Sequence, residues 1–184
     1  FPNVKAAEEA SYEEYKANLR RTTENFLITD DHLGEGGPKA KFQANITAIK
    51  LLKYLEETTG QATPEQQKIL SRYVGWGGLA DAFDPEKPAW AAEYAQLKEL
   101  LTRSEYAAAR GSTLNAHYTS PTVIKAIYEA VGRMGFETGN ILEPSCGVGN
   151  FFGMLPEEMR NSRLYGVELD SISGRIAQQL YPKA

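Results

Sequence analysis

A short apolar run, a glycine-rich turn and an acidic residue about twenty positions later constrain the fold of this chain more than any other feature. The short run Asn140-Ile141-Leu142 leads into a turn over residues 143–149, with the sequence EPSCGVG, and a helix candidate follows. Glycines at such a turn let the backbone approach a ligand closely, because no Cβ lies in the way. Glu168 ends the next apolar run, where a carboxylate can accept hydrogen bonds from both hydroxyls of a ribose. The spacing predicts a strand–loop–helix unit that binds a nucleoside cofactor.

The charges beside this turn favour one class of nucleoside cofactor over another. NAD presents a pyrophosphate, which binds best at an open helix N-terminus away from carboxylates. Here Glu143 and Glu168 flank the turn, and Phe152 stands where the dinucleotide pattern has its third glycine. S-adenosylmethionine carries a sulfonium and an ammonium but no phosphate, so neighbouring carboxylates stabilise it. The turn is therefore predicted to bind S-adenosylmethionine, with NAD as the less favoured alternative.

Hydrophobic periodicity divides the chain into a helical first part and a mixed second part. The predicted helices of the first part cover residues 4–24, 41–57, 64–74 and 90–101, and a short fifth helix follows. Thr63 with Gln66 and Thr102 with Glu105 form the capping boxes that begin the third and the fifth of these helices. Strand character begins only at residue 140 and returns at residues 164–169. We therefore predict an α/β fold, with a helical N-terminal region over residues 1–112 and an incomplete Rossmann-like domain over residues 113–184.

One further helix is predicted immediately before the first strand. Ser120 and Pro121 suit the cap and the first position of a helix. The residues expected to form its buried stripe are Val123, Ile124, Ile127, Val131 and Met134. This spacing predicts that one side of the helix packs against the core.

Composition excludes several classes of site and indicates a default location. The net charge of −4 does not favour a polyanion, so any DNA contact requires a local patch or protein outside these 184 residues. One cysteine and two histidines cannot form an internal disulfide or a standard zinc site, and no metal ligand is predicted. No apolar run approaches the ~20 residues of a membrane span, and no signal-peptide pattern is present, so we predict a cytoplasmic protein without a membrane partner. Because the chain begins at Phe1 and ends abruptly at Ala184, both ends are predicted to be cuts through a longer protein.

Three segments in the second part resemble the motifs of N6-adenine DNA methyltransferases. Residues 143–149 are similar to motif I of that family, [D/E]-P-x-x-G-x-G, and residues 166–170, GVELD, are similar to its motif II. Residues 117–121, HYTSP, resemble the Tyr-Thr-Pro element that precedes motif I, with Ser120 as an insertion. Three motifs in the right order are a specific signal, whereas any one alone would be weak.

The resemblance implies a methyltransferase fold, a cofactor and a set of binding residues. In that family the Tyr-Thr-Pro segment contacts the methionine end of S-adenosylmethionine, motif I lies beneath the cofactor, and the motif II acid holds the ribose. The cofactor-binding residues implied for this chain are Tyr118, Thr119, Pro121, Glu143, Pro144, Cys146, Gly147, Gly149, Glu168 and Leu169.

The helical part has a resemblance of its own. Residues 28–42 and 72–79 are similar to the start of very large fused methylase–helicase proteins of conjugative elements, whose relatives serve phages in antirestriction. The resemblance implies two partners, DNA bound through the full-length protein and a helicase-type domain downstream in the same protein.

The family's catalytic tetrapeptide, [Asn/Asp]-Pro-Pro-aromatic, does not occur in these 184 residues. Nor does the acidic motif of the third strand, and only two of the expected seven strands are predicted. We therefore predict no catalytic residue here and no catalysis by this chain alone. The second strand is expected to keep an unpaired edge or to pair with another copy. The alternative function is a non-catalytic module that kept a methyltransferase shape and docks DNA or a helicase.

Several conspicuous residues have a structural interpretation beside the functional one. Tyr73 and Trp76 could stack on a base, but a helix end buried in the core is favoured. Cys146 is expected to be a small packing residue, since no neighbouring cation would activate its thiol. The glycine-rich loop at residues 34–37 could bind phosphate, but it lacks the Gly-Lys-Ser/Thr ending of a P-loop, so a plain turn is favoured.

Overall fold

The computed structural model describes residues 24–58 and 60–184, which form seven helices and two strands. The elements in chain order are α1 (Pro38–Glu57), α2 (Pro64–Leu70), α3 (Ala91–Leu100), α4 (Arg103–Ser112), α5 (Pro121–Arg133), β1 (Asn140–Glu143), α6 (Asn150–Gly153), β2 (Arg163–Gly166) and α7 (Ser171–Leu180). Short 3-10 turns lie at residues 80–83, 88–90 and 157–159. The helix predicted over residues 4–24 lies outside the described residues.

The two strands form a small parallel sheet at the centre of the second part. Asn140 pairs with Arg163, and the register runs without interruption to Glu143 and Gly166. Parallel strands need a crossover between them, and here it contains α6. The described part of the chain is thus a mixed helical structure with a two-stranded parallel sheet, which confirms the α/β class. Its extension into a Rossmann-like domain stays a prediction, as does the boundary between residues 112 and 113.

Two of the helix starts follow the predicted capping chemistry. The Thr63 hydroxyl accepts a hydrogen bond from the Gln66 amide, and the Gln66 side chain accepts one from the Thr63 amide. Thr102 and Glu105 form the same reciprocal pair at the start of α4. Ser120 also occupies a cap position, but its side chain makes no capping hydrogen bond.

Helix α2 ends at Leu70, four residues before its predicted end, because a buried side chain captures the backbone that follows. Asn45 of α1 is fully buried. Its Oδ1 accepts a hydrogen bond from the Val74 amide at 2.9 Å, and its Nδ2 donates to the Gly75 carbonyl at 2.5 Å. A buried amide that satisfies two backbone groups outweighs another turn of helix. The chain therefore leaves α2 early and enters a turn.

The core is continuous from the helices to the sheet. In α1 it begins with Phe42, Ile46, Ile49 and Leu52, which are at most 1% exposed. Tyr73 and Trp76 are each 1% exposed, so the favoured interpretation of these aromatics as core residues is confirmed. The remaining large, fully buried residues of both parts are Leu70, Leu97, Ile124, Met159, Ile172 and Ile176.

A charged network links α7 to α1 and α4. Arg175 of α7 donates to both carboxylate oxygens of Glu56, each at 2.9 Å, and to Glu105 at 2.5 Å. Lys53 donates to the second oxygen of Glu105 at 3.0 Å. Burial alone would raise the pKa of Glu105, but the Thr102 amide, Lys53 and Arg175 together lower it to about 2. The buried carboxylate is therefore charged and paired.

The predicted buried stripe of α5 is wrong at three positions. Ile124 is buried and Val131 half-buried, but Val123, Ile127 and Met134 are exposed. Tyr128 is buried instead, and its hydroxyl donates to the Phe151 carbonyl at 2.7 Å. The helix is rotated because this hydrogen bond and the ring contact with Phe151 hold its tyrosine face inward. Periodicity shows that a helix has an apolar side, but not which of two adjacent sides meets a partner.

Candidate functional site

A cleft of roughly 520 Å³ lies where the carboxyl ends of β1 and β2 meet the helical part. Its volume falls in the range of small-molecule sites. Seven of the ten predicted cofactor-binding residues line it: Tyr118, Thr119, Glu143, Cys146, Gly147, Glu168 and Leu169. Pro121, Pro144 and Gly149 do not line the cleft. Pro121 is the buried first residue of α5, Pro144 follows β1, and Gly149 packs against the Tyr181 ring.

The glycine turn and the acidic residue of the second strand meet directly. The Gly147 amide donates a hydrogen bond to Glu168 Oε2 at 2.7 Å. Gly147 has a φ of +56°, a left-handed conformation that favours glycine. The Cys146 amide also donates to the Val167 carbonyl at 3.0 Å, which prolongs the pairing of the strands into the turn. The structure thus brings together the two features from which a nucleoside site was predicted.

Glu168 is held in place by backbone on both sides. Its Oε1 accepts a hydrogen bond from the Asp170 amide at 2.8 Å, while Oε2 accepts the one from Gly147. A carboxylate oxygen has two lone pairs, so each oxygen retains capacity for one more donor. The carboxylate is preorganised to accept hydrogen bonds from a ligand that carries a pair of hydroxyls.

Burial affects the other ionisable groups of the turn. It raises the pKa of the Glu143 carboxyl. It also raises the pKa of the Cys146 thiol, and the nearby Glu168 and Glu143 carboxylates act in the same direction. Because the thiolate is the reactive form of cysteine, the thiol of Cys146 is neutral and suited to packing.

Tyr118 belongs to a hydrogen-bonded chain that reaches the start of α7. Its hydroxyl lies 3.1 Å from Ser173 Oγ, and Ser173 Oγ donates to Asp170 Oδ2 at 2.6 Å. Serine has a single hydroxyl hydrogen, so Tyr118 is the donor to Ser173. Burial raises the pKa of Tyr118 above its ordinary value, which keeps that hydrogen in place.

Sequence reasoning assigned no role to Asp170 or Ser173, although both line the cleft. The available signal was the Asp170 cap of α7, where Oδ2 accepts a hydrogen bond from the Ser173 amide at 2.8 Å. It also missed the wall that the helical part contributes. That wall consists of Tyr73, Gly75, Trp76, Ala108, Gly111 and Ser112, and the segment before Tyr118 extends it with Asn115, Ala116 and His117.

Two negative findings apply to the parts of the chain that the structure describes. Residues 24–58 and 60–184 contain no group of three His, Cys, Asp or Glu side chains placed to hold a metal ion. Within the same ranges, no helix is long and apolar enough to span a bilayer.

Comparison with known proteins identifies two relatives. The chain is 27% identical over 150 residues to "Defense against restriction protein B" of Escherichia phage P1, an alignment that covers 82% of this chain and 5% of that protein. It is 38% identical over 61 residues to "Type II methyltransferase M.CvrRI" of Paramecium bursaria Chlorella virus XZ-6E, which covers 33% of this chain and 16% of that protein. The chain therefore spans a small part of either relative. No protein-family model and no solved structure matches it. The two similarities support a methyltransferase-like relationship for this chain.

Proposed function

We propose that this chain forms the S-adenosylmethionine-binding part of a DNA amino-group methyltransferase, with adenine N6 as the target. The observation that carries the proposal is the direct hydrogen bond between the Gly147 amide and the Glu168 carboxylate, two residues that line the cleft. A strand, a left-handed glycine turn and an acid at the end of the neighbouring strand form a nucleoside site.

The charge of the cleft fits a cationic nucleoside. Glu143, Glu168 and Asp170 line it, whereas the described residues that line it include no lysine or arginine. A dinucleotide pyrophosphate or a nucleotide phosphate would meet uncompensated carboxylates here. A sulfonium and an ammonium are instead stabilised by them. The residues present therefore fit S-adenosylmethionine better than a phosphorylated cofactor.

The proposed roles follow from where each group lies. Glu168 holds the ribose hydroxyls, and the backbone at Gly147 supports the cofactor from below. Tyr118 and Thr119 meet its methionine end, and Glu143 contributes negative charge near the cation. When bound, S-adenosylmethionine supplies an electrophilic methyl group; the protein's part is to bind and orient it.

The wider features of the proposal rest on the relatives and on one surface. The relatives' names concern methylation and restriction, which supports DNA as the partner, and the alignments cover only 5% and 16% of the relatives, which supports a larger protein. A helicase-type domain in that protein rests on the resemblance of residues 28–42 and 72–79 alone. On the sheet, Leu142 and Tyr165 are 62% and 49% exposed and adjacent in register. A bare apolar sheet face of this kind supports a Rossmann-like domain whose remaining elements cover it.

Calorimetry on this chain tests cofactor binding. S-adenosylmethionine and its demethylated product should both bind, and NAD should not. Glu168→Ala should weaken binding at least about tenfold, because a hydrogen bond to a charged group typically contributes that much. Glu158→Gln, an exposed acid outside the cleft, is the control and should leave affinity unchanged. Absence of binding, or equal affinity of Glu168→Ala and the parent chain, would overturn the proposal.

The target is tested on the full-length gene product. Incubation with DNA and labelled S-adenosylmethionine, followed by nucleoside analysis, should yield N6-methyladenine. N4-methylcytosine would move the target to cytosine. A protein that binds the cofactor but methylates no DNA, and whose sequence beyond residue 184 lacks Asn-Pro-Pro-aromatic, would support the non-catalytic module instead.

A further inference from the structure

The ring of Tyr118 lies between two glycines that come from different parts of the chain. A Cβ built on Gly75 would lie 2.6 Å from Tyr118 Cε2, and a Cβ built on Gly147 would lie 2.9 Å from Tyr118 Cε1. Cε2 and Cε1 belong to opposite edges of the ring. One edge therefore rests on the turn that follows α2, and the other rests on the glycine turn of the cleft. Neither contact leaves room for a larger residue.

The turn over residues 75–78, here called the Gly75 turn, is itself held by hydrogen bonds to two other segments of the chain. Asn45 holds the Gly75 carbonyl, and the Gly78 amide donates to the Thr113 carbonyl at 3.0 Å. A Cβ at Gly77 would collide with the Ala116 carbonyl oxygen. The backbone at Ala116, shortly before Tyr118, therefore packs directly against the Gly75 turn.

Two further contacts restrain Tyr118, one through its ring and one through its hydroxyl. Its ring meets the Tyr73 ring edge-on, with centroids 6.5 Å apart and planes at 78°. Its hydroxyl is bonded to Ser173. A side chain restrained by two turns, a ring and a hydrogen bond transmits the position of one turn to the other, because close-packed contacts leave little slack.

We propose that Gly75 is a positioning residue of the cofactor site. Gly75 lets Tyr118 pack closely against the helical part. Tyr118 in turn sets the position of the Gly147 amide relative to the Glu168 carboxylate. The inference rests on the proposed function and extends it: affinity for a cationic nucleoside depends on a residue of the helical part, through Tyr118.

Two glycine substitutions separate positioning from backbone strain. Gly75 and Gly78 have φ values of +67° and +73°, so alanine is strained alike at both. A Cβ at Gly78 meets nothing within 4 Å, whereas a Cβ at Gly75 meets Tyr118. Gly75→Ala should weaken S-adenosylmethionine binding about tenfold by calorimetry, since small misplacements of a binding group are costly. Gly78→Ala should stay within about twofold of the parent chain. Equal losses in the two variants would overturn the inference.

A double mutant tests whether Gly75 acts through Tyr118. Tyr118→Leu removes the ring from both glycines without adding atoms. In that background Gly75→Ala should cost little further affinity, because the atom that it meets is gone. If Gly75→Ala costs as much in the Tyr118→Leu background as in the parent chain, Gly75 does not act through Tyr118 and the inference is wrong. This arm also covers the case in which Gly75→Ala alone folds poorly.

Amide exchange by NMR in the cofactor-free chain separates this inference from the proposed function. The Gly147 amide, bonded to Glu168, should exchange faster in Gly75→Ala than in Gly78→Ala. Unchanged exchange in Gly75→Ala would contradict positioning, whatever the chain binds. Failure of the parent chain to bind S-adenosylmethionine would contradict the proposed function, and the exchange rates would still decide the role of Gly75.

Discussion

The helices around α1 and the sheet of β1 and β2 bury their apolar residues to different degrees. Ile46, Ile49 and Leu52 of α1 are at most 1% exposed. On the sheet, Leu164 is 6% exposed, whereas Leu142 and Tyr165 on the other face are largely bare. The helical core is complete within the described residues, and the sheet is covered on one face. Stability should therefore reside in the helical core, whereas the cleft lies at the border with the half-covered sheet.

The largest expected effect is a difference between two identical substitutions. Leu52→Ala in the helical core should lower the free energy of unfolding by about 3 kcal/mol, because it leaves a cavity. Leu142→Ala on the bare face should change it by less than about 0.5 kcal/mol. Urea unfolding followed by circular dichroism measures both. Similar costs at the two positions would show that the sheet face is covered in solution.

A smaller effect is expected from the network that joins the two regions. Glu105→Gln should cost about 2 kcal/mol at neutral pH, because Lys53 and Arg175 lose a buried charged partner. Glu129→Gln, which breaks the exposed pair with Arg133, should leave stability nearly unchanged. Equal effects in urea unfolding would mean that the buried network contributes no more than a surface pair.

The same network predicts a pH dependence. The pKa of Glu105 falls from its ordinary value of 4.5 to about 2 in the folded chain. Its stabilising contribution is therefore complete above pH 4.5 and is lost as the pH falls toward 2, since the unfolded state then binds the extra proton. Unfolding curves between pH 6 and pH 3 should show a shallower loss of stability in Glu105→Gln than in the parent chain. Parallel losses would contradict the lowered pKa.

The smallest effect concerns the edge and the bare face of the sheet. If β2 pairs with another copy, light scattering should show a mass that rises with concentration, and Tyr165→Lys should suppress the rise. A strictly monomeric species at all concentrations would contradict the pairing and leave the edge free.

The features that were predicted correctly from the sequence depend on residues that are close in the chain or on two neighbouring strands. The capping boxes at Thr63 and Thr102 need only residues three apart. The meeting of Gly147 and Glu168 follows from two neighbouring parallel strands, whose carboxyl ends share one edge of a sheet.

Long-range contacts account for what was not predicted. The early end of α2 depends on Asn45, which lies far away in the chain and has no signature that marks a buried amide. The rotation of α5 depends on Tyr128 and Phe151. The helical wall of the cleft depends on the contact between Gly75 and Tyr118, and a glycine in the sequence does not show which side chain it admits.

The direction of the two hydrogen bonds that link Tyr118 to Asp170 through Ser173 has a consequence for molecular recognition. Because Ser173 gives its hydrogen to Asp170, the phenol gives its own hydrogen to Ser173, and only lone pairs remain on the tyrosine oxygen. A group that meets this oxygen from the cleft must bring a hydrogen with it. An ammonium or amide nitrogen satisfies that polarity, whereas a carboxylate is repelled.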